Sequence, residues 1–148
     1  MATRCVTRLF DYDSRLIARM YRHYDGYPSG HGVELARYLT DCLLVNGWPS
    51  DDAMRRYAKE GVAVFNGADS LAAHVVKEFA SRLPEEIYLM PTGVSAAEVC
   101  AEYVYDVIPG GKDCGPQAVA LRVCQLEPSR ILYEGPAASF DAALAEAG

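Results

Sequence analysis

One twelve-residue segment, residues 21–32, constrains the fold more than any other part of the chain. It contains three glycines and a proline, which favour a turn because glycine adopts positive φ without a steric penalty and proline fixes its own φ. Residues 15–24 alternate in polarity as a strand does, and residues 33–44 carry apolar side chains at helical spacing. The segment is therefore predicted to connect a strand to a helix, with Ser29 capping the helix.

The same segment concentrates side chains that bind anions, stack on rings or transfer protons. Amide groups at a helix N-terminus favour a phosphate or carboxylate, so an anion site is predicted around residues 29–32. The pattern matches neither a phosphate-binding P-loop nor the dinucleotide fingerprint. An equally weighted alternative is that the glycines and the proline only form the turn and the tyrosines pack beneath it. The predicted ligand-binding residues are Arg19, Arg22, His23, Tyr24, Asp25, Tyr27, Ser29, His31, Tyr103, Tyr105 and Lys112.

The order of elements predicts a single α+β domain over residues 1–148. Its expected architecture is an antiparallel sheet of about six strands, with two or three helices packed on one face. The sheet combines an N-terminal hairpin with a C-terminal meander. The predicted strands are residues 3–10, 15–24, 86–90, 99–108, 118–125 and 130–134. The predicted helices are residues 33–44, 50–59 and a third that ends before Pro84, with a further short helix over residues 137–147.

Two tyrosines share one face of the strand over residues 99–108. Tyr103 and Tyr105 are interpreted as a stacking surface, although tyrosine is also a common residue on a half-buried strand face. Lys112, in the glycine-rich loop after this strand, is predicted to contact an anionic ligand. Cys114 in the same loop is expected to be an ordinary exposed thiol, and His74 a boundary residue on the third helix.

Composition excludes several classes of protein. The net charge of −6 argues against general nucleic-acid binding, while the early arginines, between residues 4 and 22, fit a local basic face for one anionic ligand. Five cysteines without a CxxC pair predict neither a disulfide framework nor a zinc site, and no metal or cofactor is predicted. The chain has no apolar run long enough to span a membrane and no signal-peptide pattern, so a cytoplasmic protein is expected.

The run YRHYDGYPSGHGVEL, with EYVYDV and LYEGP later, resembles a family of small proteins encoded by bacteriophages and prophages. The resemblance covers most of the chain and is strongest in the first run. It implies a phage-type accessory protein in the host cell cytoplasm. It supplies no mechanism and no catalytic residues.

Three functions are compatible with these observations. The first is a non-enzymatic binder of a small, nucleotide-derived anion that sequesters a host immune signal, with a homo-oligomer formed through an exposed sheet face. The second is an enzyme of phosphoryl transfer or hydrolysis, in which His23 and His31 flank Asp25 and Arg22 stabilises developing charge. The third is a protein that inhibits a host defence complex through its acidic surface.

Overall fold

The computed structural model describes residues 2–110 and 118–148. Within these residues the strands are β1 Cys5–Phe10, β2 Leu16–Arg22, β3 Cys42–Val45, β4 Ala63–Asn66, β5 Ile87–Leu89, β6 Tyr103–Ile108, β7 Ala120–Gln125 and β8 Arg130–Pro136. The α-helices are α1 Val33–Thr40, α2 Asp51–Lys59, α3 Ala68–Arg82 and α4 Phe140–Ala147. A π-helical turn, Pro28–Gly32, precedes α1, and a 3₁₀ turn, Ala137–Ser139, precedes α4.

The predicted α+β fold with a six-stranded sheet is confirmed. The strand order is β5-β2-β1-β6-β7-β8. The sheet is mixed rather than purely antiparallel, because β1 and β6 run parallel at its centre. β5 pairs with β2, so it lies at one edge of the sheet and the C-terminal meander has only three strands. The connection from β5 to β6 must therefore cross one face of the sheet, which gives β6 the direction of β1.

A second, two-stranded sheet was not predicted. The helix expected over residues 33–44 ends at Thr40, and residues 42–45 instead form β3, which pairs in parallel with β4. α2 lies between β3 and β4 in the chain, and Ser50 caps its N-terminus, since the Ser50 hydroxyl accepts a hydrogen bond from the Ala53 amide at 3.2 Å. A short apolar run such as CLLV fits a buried strand as well as a helix end.

The two faces of the large sheet have different coverings. The helix face carries Leu9, Met20 and Tyr105, which belong to one buried core with Leu35 and Phe79 from the helices. The opposite face, called the back face below, carries alternate residues such as Val6 and Val104, which are also buried. The connecting segment, residues 90–102, crosses this back face. It is held there by Arg19, whose guanidinium donates to the Pro91 carbonyl at 2.8 Å and to the Val94 carbonyl.

No helix in residues 2–110 and 118–148 has both the length and the apolar character needed to cross a bilayer.

Candidate functional site

Part of the glycine-rich segment is built into a buried network around Arg22. This arginine ends β2 on the helix face, and its side chain is only 3% exposed. Its Nη1 donates to Glu34 Oε2 at 2.6 Å and to His31 Nδ1 at 3.2 Å. Its Nε lies 3.4 Å from Glu86 Oε2. Arg22 thus joins β2 to α1 and to the start of β5, and it is not available to a ligand.

His31 completes this network and is fully buried. Because its Nδ1 accepts from Arg22, the ring proton lies on Nε2, which donates to Thr7 Oγ1 at 2.7 Å. The ring packs between Phe79 and Tyr105, at centroid distances of 5.0 and 4.9 Å. Burial, reinforced by the positive charges of Arg22 and Arg82, lowers the pKa of His31 to about 3. His31 is therefore a neutral structural histidine.

At the predicted anion site, the amides of Gly30, His31 and Gly32 donate to backbone carbonyls of the turn itself. The His31 amide donates to the Asp25 carbonyl at 2.9 Å, and the Gly30 amide donates to the Tyr27 carbonyl at 3.0 Å. Asp25 adopts a positive φ of 55°, which is part of the tight turn that forms these bonds. Within the described residues the Ser29 side chain makes no capping bond either, and Ser29 lies exposed.

The stacking surface predicted from Tyr103 and Tyr105 is wrong. Both lie on the helix face, where Tyr105 is fully buried and Tyr103 packs against the core. The Tyr105 hydroxyl donates to the Gly26 carbonyl at 2.7 Å, and burial raises its pKa. A Cβ at Gly26 would lie 2.8 Å from the Arg4 carbonyl carbon and from the Cys5 amide nitrogen, so only glycine lets the turn approach β1 this closely.

The exposed part of the segment lies at the same end of the sheet, on the back face. His23 Nδ1 and the Tyr21 hydroxyl share a hydrogen bond of 2.8 Å, and the His23 ring meets the Tyr24 ring edge-on at a centroid distance of 4.4 Å. Burial raises the pKa of Tyr21, and the nearby Arg4 guanidinium opposes that rise. Tyr24 is 49% exposed. We call these four residues, Arg4, Tyr21, His23 and Tyr24, the His23 surface.

A cleft of about 530 Å³ lies between the crossing segment and residues 125–127. The Glu102 amide donates to the Arg4 carbonyl at 2.8 Å, which joins one wall of the cleft directly to Arg4. Cys100, on the same wall, is close enough to Tyr21 to influence its pKa. The main lining residues are Ala97, Cys100, Glu102, Gln125, Leu126 and Glu127.

The structure does not bring His23 and His31 together. His23 points to the back face with Tyr21, whereas His31 lies under the helix face with both ring nitrogens engaged. The acid–base pair of the enzymatic hypothesis is therefore not assembled, and Asp25 lies exposed on the turn between them.

Comparison with known proteins gives no relative from which to assign this site. No family model matches the chain. Neither a curated protein nor a solved structure matches it. Among residues 2–110 and 118–148, no group of three or more His, Cys, Asp or Glu side chains is placed to hold a metal ion. The site is therefore interpreted from its own geometry.

The remaining predicted residues have separate positions. Arg19 is occupied by the carbonyls of the crossing segment, and Tyr27 is exposed on the turn. Lys112 and Cys114 lie outside the described residues. His74 is confirmed as a boundary residue: its Nδ1 donates to the Ser70 carbonyl at 2.8 Å on the exposed side of α3.

Sequence reasoning did not assign Arg4, Cys100 or Glu102 to the candidate site, although Arg4 is one of the early arginines of the predicted basic face. Alternation along β2 did place Tyr21 beside His23. Adding Arg4 required the pairing of β1 with β2, and adding Cys100 required the path of the crossing segment. Neither can be read from local periodicity.

Proposed function

We propose that the protein is a non-enzymatic binder of a small, nucleotide-derived anion, held at the His23 surface and in the adjacent cleft. The observation that carries this proposal is a cleft of about 530 Å³ whose lining residue Glu102 is hydrogen-bonded to Arg4, one of the four residues of the His23 surface. That volume lies within the range of about 300–1,000 Å³ that is usual for small-molecule sites.

The chemistry of the two parts favours a ligand with an anionic end and an uncharged end. Arg4 and His23 are donors suited to a phosphate, and Tyr24 offers a ring face to a base. The cleft lining that the structure describes has carboxylates from Glu102 and Glu127 and no Lys, Arg or His. A phosphate would be repelled there, whereas ribose hydroxyls commonly bind a carboxylate. The phosphate therefore belongs at the His23 surface and the nucleoside in the cleft.

Binding without conversion is favoured because the second histidine of the segment is committed to the fold. With His31 buried and neutral, the His23 surface has one imidazole, hydrogen-bonded to the Tyr21 hydroxyl, and lacks the second histidine that the enzymatic hypothesis requires. The ligand is expected to be released intact.

The biological setting of the proposal comes from the sequence resemblance to phage-encoded proteins. A phage protein that sequesters a nucleotide-derived immune signal in the host cytoplasm would keep the corresponding effector inactive. A homo-oligomer belongs to the same proposal, and exposed apolar side chains at both sheet edges support it. These are Tyr88 and Leu89 on β5, and Ile131 and Leu132 on β8.

The test is to incubate the purified protein with a pool of mono-, di- and cyclic nucleotides and ADP-ribose derivatives. The protein is then separated from free ligand and heated, and the released molecules are identified by mass spectrometry. We expect one unaltered nucleotide, and about tenfold weaker retention in His23→Gln, since a hydrogen bond to a charged group is worth about 1.5–3 kcal/mol. His74→Gln is the matched control, because His74 is exposed on α3 and remote from the cleft lining.

The other outcomes contradict the proposal in different ways. A cleaved or transferred product would favour the enzymatic hypothesis. If nothing is retained or converted, the search moves to protein partners of the acidic surface. Equal retention of the nucleotide by His23→Gln and His74→Gln would show that the ligand does not bind at the His23 surface.

A further inference from the structure

A second charged group lies in the middle of the back face. Arg8 on β1, Asp106 on β6 and Arg122 on β7 are direct neighbours in the strand register. We call these three residues the Asp106 triad. Arg8 forms a bidentate pair with Asp106, from Nε to Oδ1 at 2.6 Å and from Nη2 to Oδ2 at 2.7 Å. Arg122 donates to Oδ2 from Nε at 3.0 Å and from Nη2 at 2.7 Å.

The exposure of the triad is uneven. The Asp106 side chain is fully buried, whereas the side chains of Arg8 and Arg122 are 37% and 35% exposed. Both arginines contact the carboxylate through the edge that carries Nε and Nη2, so neither Nη1 is used by Asp106. Two fixed guanidinium groups therefore reach solvent side by side, with one carboxylate between them.

One carboxylate neutralises only one of the two arginines. The neighbouring charges are one positive and one negative: Arg19, paired with Arg8 across β1 and β2, is positive and is directed at backbone carbonyls. Glu134, opposite Arg122 on β8, supplies a second, exposed carboxylate. The row of five charged residues keeps one positive charge in excess, in a protein whose net charge is −6.

We infer that Arg8 and Arg122 form an anion subsite for a phosphate or pyrophosphate group, with Asp106 as the residue that positions them. Guanidinium groups match the geometry of phosphate oxygens, and side chains already fixed in place lose little entropy on binding. Glu134 limits the size of the anion, because a group that extends toward β8 would meet its charge.

This subsite is independent of the proposed nucleotide site. Arg4 and Arg8 are four residues apart, about 13 Å between their Cα atoms in an extended strand, and Arg8, unlike Arg4, is held by Asp106, so substitutions at the two arginines test the two sites separately. The nucleotide site at the His23 surface and the anion subsite at Arg8 and Arg122 can therefore fail independently of each other.

The probe is inorganic pyrophosphate, titrated into the ¹⁵N-labelled protein while the arginine Nε–H signals are followed by NMR. We expect saturable shifts of the Arg8 and Arg122 signals and none for the exposed Arg15. Arg122→Gln is expected to weaken binding about tenfold, because it removes a charged donor. Arg4→Gln is expected to leave the Arg8 and Arg122 shifts unchanged.

Asp106→Asn separates this subsite from a purely structural ion pair. Because the Asp106 carboxylate fixes the two guanidinium groups, its replacement by a neutral amide is expected to weaken pyrophosphate binding about threefold or more, whereas a purely structural ion pair would leave binding unchanged. If this variant does not fold, the comparison of Arg8→Gln and Arg122→Gln with Arg15→Gln decides the question. Absence of saturable shifts, or equal binding by all three arginine variants, would overturn the inference.

Discussion

Arg22→Leu is expected to lower the free energy of unfolding by about 3 kcal/mol, at the lower end of the range for breaking a buried ion pair. The substitution leaves His31 Nδ1 without its donor and removes the cation that faces Glu34 and Glu86. The loss stays near the lower end because both glutamates are partly exposed and Glu34 keeps Arg82 at 3.5 Å. Equilibrium unfolding in urea measures this loss as a lower midpoint urea concentration, with an unchanged dependence of the unfolding free energy on urea concentration.

Arg15→Leu is the matched control for this substitution. Arg15 is exposed at the start of the second hairpin strand. Its hydrogen bond to Asp11 Oδ1 is donated by the backbone amide, which the substitution leaves in place. Loss of the Arg15 side chain is expected to change the unfolding free energy by less than about 0.5 kcal/mol. If the two substitutions cost the same, the buried Arg22 network does not stabilise the fold.

His31 is expected to make the protein less stable as the pH falls below about 6.5. Its pKa is lowered to about 3 in the folded protein, so in this window the unfolded chain takes up a proton that the folded protein does not. This single group reduces stability by about 1.4 kcal/mol per pH unit down to the folded pKa, and its effect is absent above the unfolded pKa.

The measurement is the slope of unfolding free energy against pH, compared between the protein and His31→Gln. A glutamine retains one acceptor and one donor for Arg22 and Thr7 but does not titrate. Since the other acidic groups titrate in both proteins, the two slopes are expected to differ by about 1.4 kcal/mol per pH unit between about pH 4 and 6. Parallel pH profiles would mean that His31 takes up a proton in the folded state.

Much of the fold could be predicted from sequence, because its elements carry clear periodicity. The β1–β2 hairpin, α2, α3 and the strands β6 to β8 all lie within their predicted segments, apart from small differences at their ends. β3 was missed because four apolar residues after a helix do not reveal their own conformation. The parallel pairing of β1 with β6 depends on the path of residues 90–102, which has no local signature.

The candidate site was less predictable, because alternation shows which residues share a face but not which face is buried. Tyr103 and Tyr105 were correctly placed together, yet their face carries the helices. The same ambiguity hid the role of Asp106, which is fully buried although it lies on the back face. His23 and His31 have similar surroundings in the sequence. Only the tertiary structure shows that His23 lies at the surface and His31 in the core.

The most direct test of ligand binding at the His23 surface compares Arg4→Gln with Arg15→Gln. Both substitutions remove one positive charge from the N-terminal hairpin region, so they have the same effect on net charge. The Kd of the nucleotide recovered from the pool is measured for each variant by calorimetry. We expect about tenfold weaker binding for Arg4→Gln and unchanged binding for Arg15→Gln. Equal affinity in the two variants would contradict a ligand site at the His23 surface.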